Sequence, residues 1–117
     1  MIQYAHMPGL GGLRHPRSDS PNTGWRNTSF RGYADHMRSS QFQDDLAQCI
    51  AAAELERIAL MCAEAVPWRC HRSLIADALI VRGVEVAEIA SATSVRPHKL
   101  TSWALVEGTE ITYPAQP

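Results

Sequence analysis

The chain has 117 residues and a formal net charge of −1, with 45% hydrophobic and 20% charged residues. That length suits one domain spanning residues 1–117, and the composition is that of an ordinary soluble globular protein. The near-neutral charge excludes a protein that coats nucleic acid by bulk electrostatics. No apolar run is long enough to cross a bilayer as a helix, so no membrane partner is expected. Three cysteines with no secretory leader point to free thiols in a reducing cytoplasm.

In chain order, residues 2–6 alternate and read as a short strand, stopped at Met7-Pro8-Gly9. Residues 13–29 carry no hydrophobic period and read as a long loop. Residues 29–37 read as a short helix, because Phe30, Tyr33, Ala34 and Met37 share one face. A second helix is expected over about 40–56, capped by Ser40, with Phe42, Leu46, Cys49, Ile50 and Ala53 as its apolar stripe. Cys49 on that stripe reads as a buried hydrophobe. Residues 57–62 read as a buried strand. The next helix follows Arg72 and ends at Gly83, a suitable C-terminal cap. Residues 84–89 read as the next strand, and residues 103–106 and 110–113 as a hairpin around Glu107-Gly108-Thr109.

Strand, crossover helix and strand over 57–89 predict a parallel pair. The expected fold is therefore α/β, a three-layer sandwich with a mostly parallel sheet and a C-terminal hairpin.

On that expectation the stretch Met61-Cys62-Ala63-Glu64-Ala65-Val66-Pro67-Trp68-Arg69-Cys70-His71-Arg72 joins a strand end to a helix start. The carboxyl ends of parallel strands are where such sheets bind ligands. A helix N-terminus offers unpaired N–H groups and partial positive charge to an anion. Four readings stay open. In one, Cys70 or Cys62 is a nucleophile, with Glu64 or His71 as acid or base; neighbouring cations would favour the Cys70 thiolate. In another, Arg69, His71 and Arg72 cradle an anion without covalent chemistry. In a third, Cys62, Cys70 and His71 bind metal together with His6 or His98; the paired ligand spacing of zinc sites is missing, so no metal is assigned. In the last, the segment is structural. No cofactor is named by the sequence.

Trp25, Arg26, Asn27, Phe30, Arg31 and Tyr33 form a second constellation, in which aromatic rings interleave with arginines, although Phe30 and Tyr33 also read as anchors of the helix in the core and Trp25 as a pin for the loop. Such a surface can stack bases and pair phosphates, which keeps a nucleic-acid-binding module as the alternative function. Ten of the eleven basic residues are arginine, a residue suited to phosphate and carboxylate recognition.

Several short motifs carry a family resemblance: Tyr4-x-His6-x-Pro8-x-Leu10-Gly11-Gly12, Phe30-x-Gly32-Tyr33-Ala34, Leu60-Met61-Cys62-Ala63-Glu64, Cys70-His71-Arg72 and Pro97-His98-x-Leu100-Thr101. Together they resemble the bacterial family named domain of unknown function 488. The resemblance implies a compact three-layer α/β domain with His6, Gly11, Gly12, Cys62, Glu64, Cys70, His71 and Arg72 around one cleft, which Trp25 and Tyr33 would border. It implies no established activity. Relative to the family, the chain is expected to lack an N-terminal strand and helix. The resulting expectation is an uncharacterised cytoplasmic protein with an anion or nucleotide cleft at Cys62–Arg72. Its expected ligand is a phosphorylated or nucleotide-like small molecule, with a thiol available for chemistry.

Overall fold

The computed structural model describes residues 4–11, 14–61 and 71–115. A 3-10 turn at Pro8–Leu10 precedes three helices, α1 (Thr28–His36), α2 (Ser40–Leu55) and α3 (Arg72–Ile80). Four short strands follow, β1 (Ala87–Ser91), β2 (Ser94–Pro97), β3 (Leu105–Glu107) and β4 (Glu110–Thr112).

Local signals account for the helix starts. Asn27 caps α1, its side-chain oxygen accepting from the Ser29 and Phe30 N–H groups at 2.8 and 3.3 Å. Ser39, one residue before the expected cap, closes the start of α2 by accepting from the Phe42 N–H at 3.2 Å. α3 begins after His71, which makes no side-chain capping bond. It ends over Gly83, whose φ of +80° lets the Val84 N–H turn back to the Leu79 carbonyl at 3.1 Å.

The core lies between the helices. Phe30, Tyr33 and Ala34 from α1, Phe42, Leu46 and Cys49 from α2, and Leu74, Ile75, Ala78 and Leu79 from α3 are buried together. Ile111 and Tyr113 close it from the C-terminal end, and Leu10 from the N-terminal end. The long loop expected before α1 is ordered by polar anchors. Asp35 of α1 accepts from the Arg17 N–H, the Ser20 hydroxyl and the Asn22 amide at 2.8, 2.6 and 2.7 Å. Asn22 is fully buried, and its own oxygen accepts from the Tyr113 N–H at 2.8 Å. Those bonds satisfy the buried Asn22 side chain and let a loop without regular structure sit against the core, although the Trp25 indole N–H in the same loop is buried without a hydrogen-bond partner among the described residues.

The expected mostly parallel three-layer sandwich is not what the chain forms. Among the described residues there are two separate two-stranded antiparallel sheets, β1–β2 and β3–β4. The segment 57–61, expected as a strand, has no regular structure. β1 pairs with β2 through a short local turn, with Glu88 opposite Arg96 and Ile89 opposite Val95. Such a hairpin closes a few residues of chain, whereas the expected crossover must order a helix first. The local pairing therefore costs less loop entropy. Pro97 sits at the end of β2, where its missing N–H costs no ladder bond. The C-terminal hairpin does form, turning at Gly108 with φ +62°. The strand expected over 2–6 does not extend into Tyr4–His6; residues 1–3 lie outside the described residues. No helix among the described residues is long and apolar enough to cross a membrane.

Candidate functional site

Of the residues that the sequence assigns to the loop chemistry, Cys62, Glu64, Arg69 and Cys70 lie outside the described residues, as does Gly12. His71 and Arg72 are described, and they face different neighbours.

His71 turns toward α1. Its ring stacks on Tyr33, with centroids 4.6 Å apart and planes 14° apart, and meets Phe30 at 4.9 Å. Its Nε2 is 3.1 Å from the Ser29 hydroxyl. Tyr33 is itself immobilised, donating its hydroxyl hydrogen to the Leu10 carbonyl at 2.5 Å. Burial lowers the His71 pKa, with a hydrogen bond to the Ser29 backbone acting in the opposite direction. The ring is thus a half-buried imidazole biased toward its neutral form.

Arg72 and Ser73 instead line a cavity of about 560 Å³. Its apolar wall includes Cys49, Ile50 and Ala53 of α2 and Ala76 of α3, while Arg96 of β2 and Glu88 of β1 bring charge to it. The size falls in the usual range for small-molecule sites, roughly 300–1,000 Å³. Cys49 is buried as the helical stripe predicts, and burial pushes its thiol pKa up, which keeps it protonated and unreactive.

The other sequence candidates are dispersed. Trp25 packs edge-on to Phe30 and Trp103, at 5.1 and 4.7 Å, and also meets Tyr113 at 5.4 Å. Both rings are packed against the core, Tyr33 fully buried and Trp25 half-buried. Arg31 donates from Nε to the Trp25 carbonyl at 3.1 Å, so it ties the loop to α1. His6 and Gly11 are exposed on either side of the 3-10 turn.

A second polar cluster, legible only in three dimensions, lies on the buried side of α3. Asp77 is fully buried in the helix. Its carboxylate accepts from His98 Nε2 at 2.8 Å, from the Thr101 hydroxyl and N–H at 2.6 and 3.2 Å, and from the Tyr113 hydroxyl at 2.9 Å. The other ring nitrogen of His98 meets the Glu88 carboxylate at 2.7 Å. Burial lowers the His98 pKa, but the bonds and charges of Asp77 and Glu88 outweigh it, and the net shift is upward. The imidazolium is favoured because each N–H faces a carboxylate. Burial, reinforced by the Asp77 charge and hydrogen bond, pushes the Tyr113 hydroxyl pKa far above its ordinary value. The sequence marks His98 and Thr101 through the family motif, and His98 also as a possible metal ligand. Asp77, Glu88 and Tyr113 carry no local signal of this meeting, since the contacts bridge up to 36 positions.

No curated protein and no solved structure matches the chain. The family model described as Domain of unknown function DUF488 matches residues 1–79, which hold α1, α2, almost all of α3 and the His71–Arg72 site. The chain therefore belongs to that family.

Proposed function

We propose that the protein binds a small phosphorylated or nucleotide-like anion in the cavity beside the start of α3, and that the Cys62–Arg72 segment supplies thiol and acid/base chemistry to it. The observation that carries this reading is the convergence of Arg72, Ser73 and Arg96 on one otherwise largely apolar cavity. The apolar wall suits the body of such a ligand and the two guanidiniums suit its charged head. His71 makes no side-chain capping bond at the start of α3, and the first N–H groups of a helix favour an anion in the same way. Glu85 and Glu88 also line the cavity, and the Glu88 carboxylate is engaged by His98. The nucleic-acid alternative has less support, since Trp25 and Tyr33 are packed against other rings.

Calorimetric titration of the full chain with inorganic phosphate and with adenosine monophosphate tests the reading. Saturable binding is expected, weakened about tenfold or more by Arg96→Ala, the scale of one charge-assisted hydrogen bond. Absence of binding by both anions at millimolar concentration would reject it. The thiol component is read separately by iodoacetamide alkylation against pH. Cys70→Ser should remove a fast-reacting thiol and leave anion binding in place.

A further inference from the structure

We propose that His98 is a positioning residue that draws the Glu88 carboxylate away from Arg96, so that Arg96 meets an anion in the cavity without Glu88 as a competitor. The proposal rests on the reading of that cavity as an anion site. It adds a residue from outside the cavity lining and a physical reason for the affinity to depend on pH.

The geometry is that of the β1–β2 hairpin. Glu88 and Arg96 are Cα partners across the two antiparallel strands, and both line the cavity. Directly opposite residues put their side chains on one face, with Cβ atoms about 4.5–5.5 Å apart, close enough for an opposite-charge pair. His98 lies two positions beyond Arg96, so it shares that face. The His98 N–H donates to the Val86 carbonyl at 2.9 Å, which carries the strand pairing past Pro97. Glu88 therefore has two basic neighbours within reach, Arg96 opposite and His98 on the diagonal. It takes the diagonal one, with Oε1 at 2.7 Å from His98 Nδ1.

His98 can hold Glu88 because its other nitrogen is anchored. Nε2 is 2.8 Å from Asp77 Oδ1, and Asp77 is fixed in turn by the Thr101 and Tyr113 hydroxyls. An ionised carboxylate only accepts hydrogen bonds, so a ring between two of them needs a proton on each nitrogen. Burial lowers the His98 pKa, and the Asp77 and Glu88 carboxylates raise it by more. When the ring loses a proton, one of the two contacts must fail. The Asp77 side chain is fully buried and that of Glu88 is 44% exposed, so Glu88 is the carboxylate able to leave. Arg96, opposite it on β2, is then its partner. Arg72 and Glu85 are the other charged groups of the cavity lining.

Two double-mutant cycles on the full chain test the proposal. The first uses no ligand. Urea denaturation at low salt gives the stability losses of Glu88→Gln, Arg96→Gln and the two combined. At pH 6 the losses should add, because His98 holds Glu88. At pH 9 in the wild-type background, and at pH 6 in a chain carrying His98→Gln, they should fail to add, as for a cross-strand ion pair. The second cycle reads the affinity for adenosine monophosphate at pH 6. His98→Gln should weaken it roughly two- to fivefold, the scale of one opposite-charge pair across strands. Adding Glu88→Gln to that chain should restore it, whereas a ring that merely supported the fold would leave the loss uncorrected. Coupling of Glu88 to Arg96 already present at pH 6 would overturn the proposal. So would its absence at pH 9, or an affinity that Glu88→Gln does not restore. A wild-type chain that binds no adenosine monophosphate, but whose first cycle behaves as expected, would reject the cavity reading and keep the control of Glu88 by His98. The two failures are therefore distinguishable.

Discussion

His98 and His71 both border α3, one against its buried face and the other just before its first turn, and their surroundings demand opposite charge states. His98 lies between two carboxylates, which raise its pKa against the opposing effect of burial. His71 lies between two aromatic rings and a serine, and burial lowers its pKa. The first ring has both nitrogens committed to carboxylates. The second meets the Ser29 hydroxyl among the described residues. A fully satisfied polar cluster rigidifies a fold, whereas a neutral imidazole keeps a lone pair able to accept a hydrogen bond or a proton. The contrast separates a polar knot that holds the molecule together from a neutral ring packed against α1.

Removal of Asp77 should produce the largest effect. Asp77→Ala strips partners from His98, Thr101 and Tyr113 at once, inside the core. A loss of about 3–5 kcal/mol is expected, the scale for breaking a buried charge pair. Urea denaturation measures it; a loss under 1 kcal/mol would mean that the knot is not structural.

The next effect concerns pH. A raised pKa in the folded state makes the His98 contribution fully present below its ordinary value of 6.5 and progressively lost as pH rises through the folded value. His98→Gln should cost about 1.5–3 kcal/mol at pH 6, the range for hydrogen bonds to charged groups. It should also flatten the decline in stability between pH 6.5 and 9. A decline that survives in the variant would assign it to another group.

The smallest effect sharpens the other side of the comparison. His71 has a lowered pKa, so its contribution is present above 6.5 and is lost as pH falls toward the folded value; half-buried His36 behaves in the same direction. His71→Phe keeps an aromatic ring on Tyr33 and should change stability at pH 8 by less than about 1.5 kcal/mol, as volume-conserving swaps do. It should reduce the acid-side loss between pH 6.5 and 5. Thermal melts across that range give the measurement, and a steeper acid-side loss in the variant would contradict the neutral-ring assignment.

Much of the helical part of the fold was legible in the sequence. The spacing of Phe30, Tyr33, Ala34 and Met37 marks α1, and Phe42, Leu46 and Cys49 mark the buried stripe of α2. Gly108 marks the C-terminal turn, where its positive φ is needed. These signals are local: each depends on side-chain period or on one residue's backbone freedom. His71 and Arg72 could be placed at a helix start for the same reason. The sheet could not be read in this way. A β-branched run declares a strand but not its partner: residues 84–89 read as a parallel partner of 57–62, whereas β1 pairs antiparallel with β2 just downstream.

What the sequence determined by itself, then, is helix placement, the apolar faces, the turn glycines and the family. Those features arise from interactions within a few residues. Tertiary structure alone decided that Arg72 would face the cavity with Arg96 while its neighbour His71 turned to Ser29. It also decided that Asp77, Glu88, His98, Thr101 and Tyr113 would share protons in one knot. Such meetings depend on how whole elements pack, and burial then changes the charge state of each group that meets. Two histidines identical in sequence acquire opposite protonation preferences because one is packed among carboxylates and the other among rings.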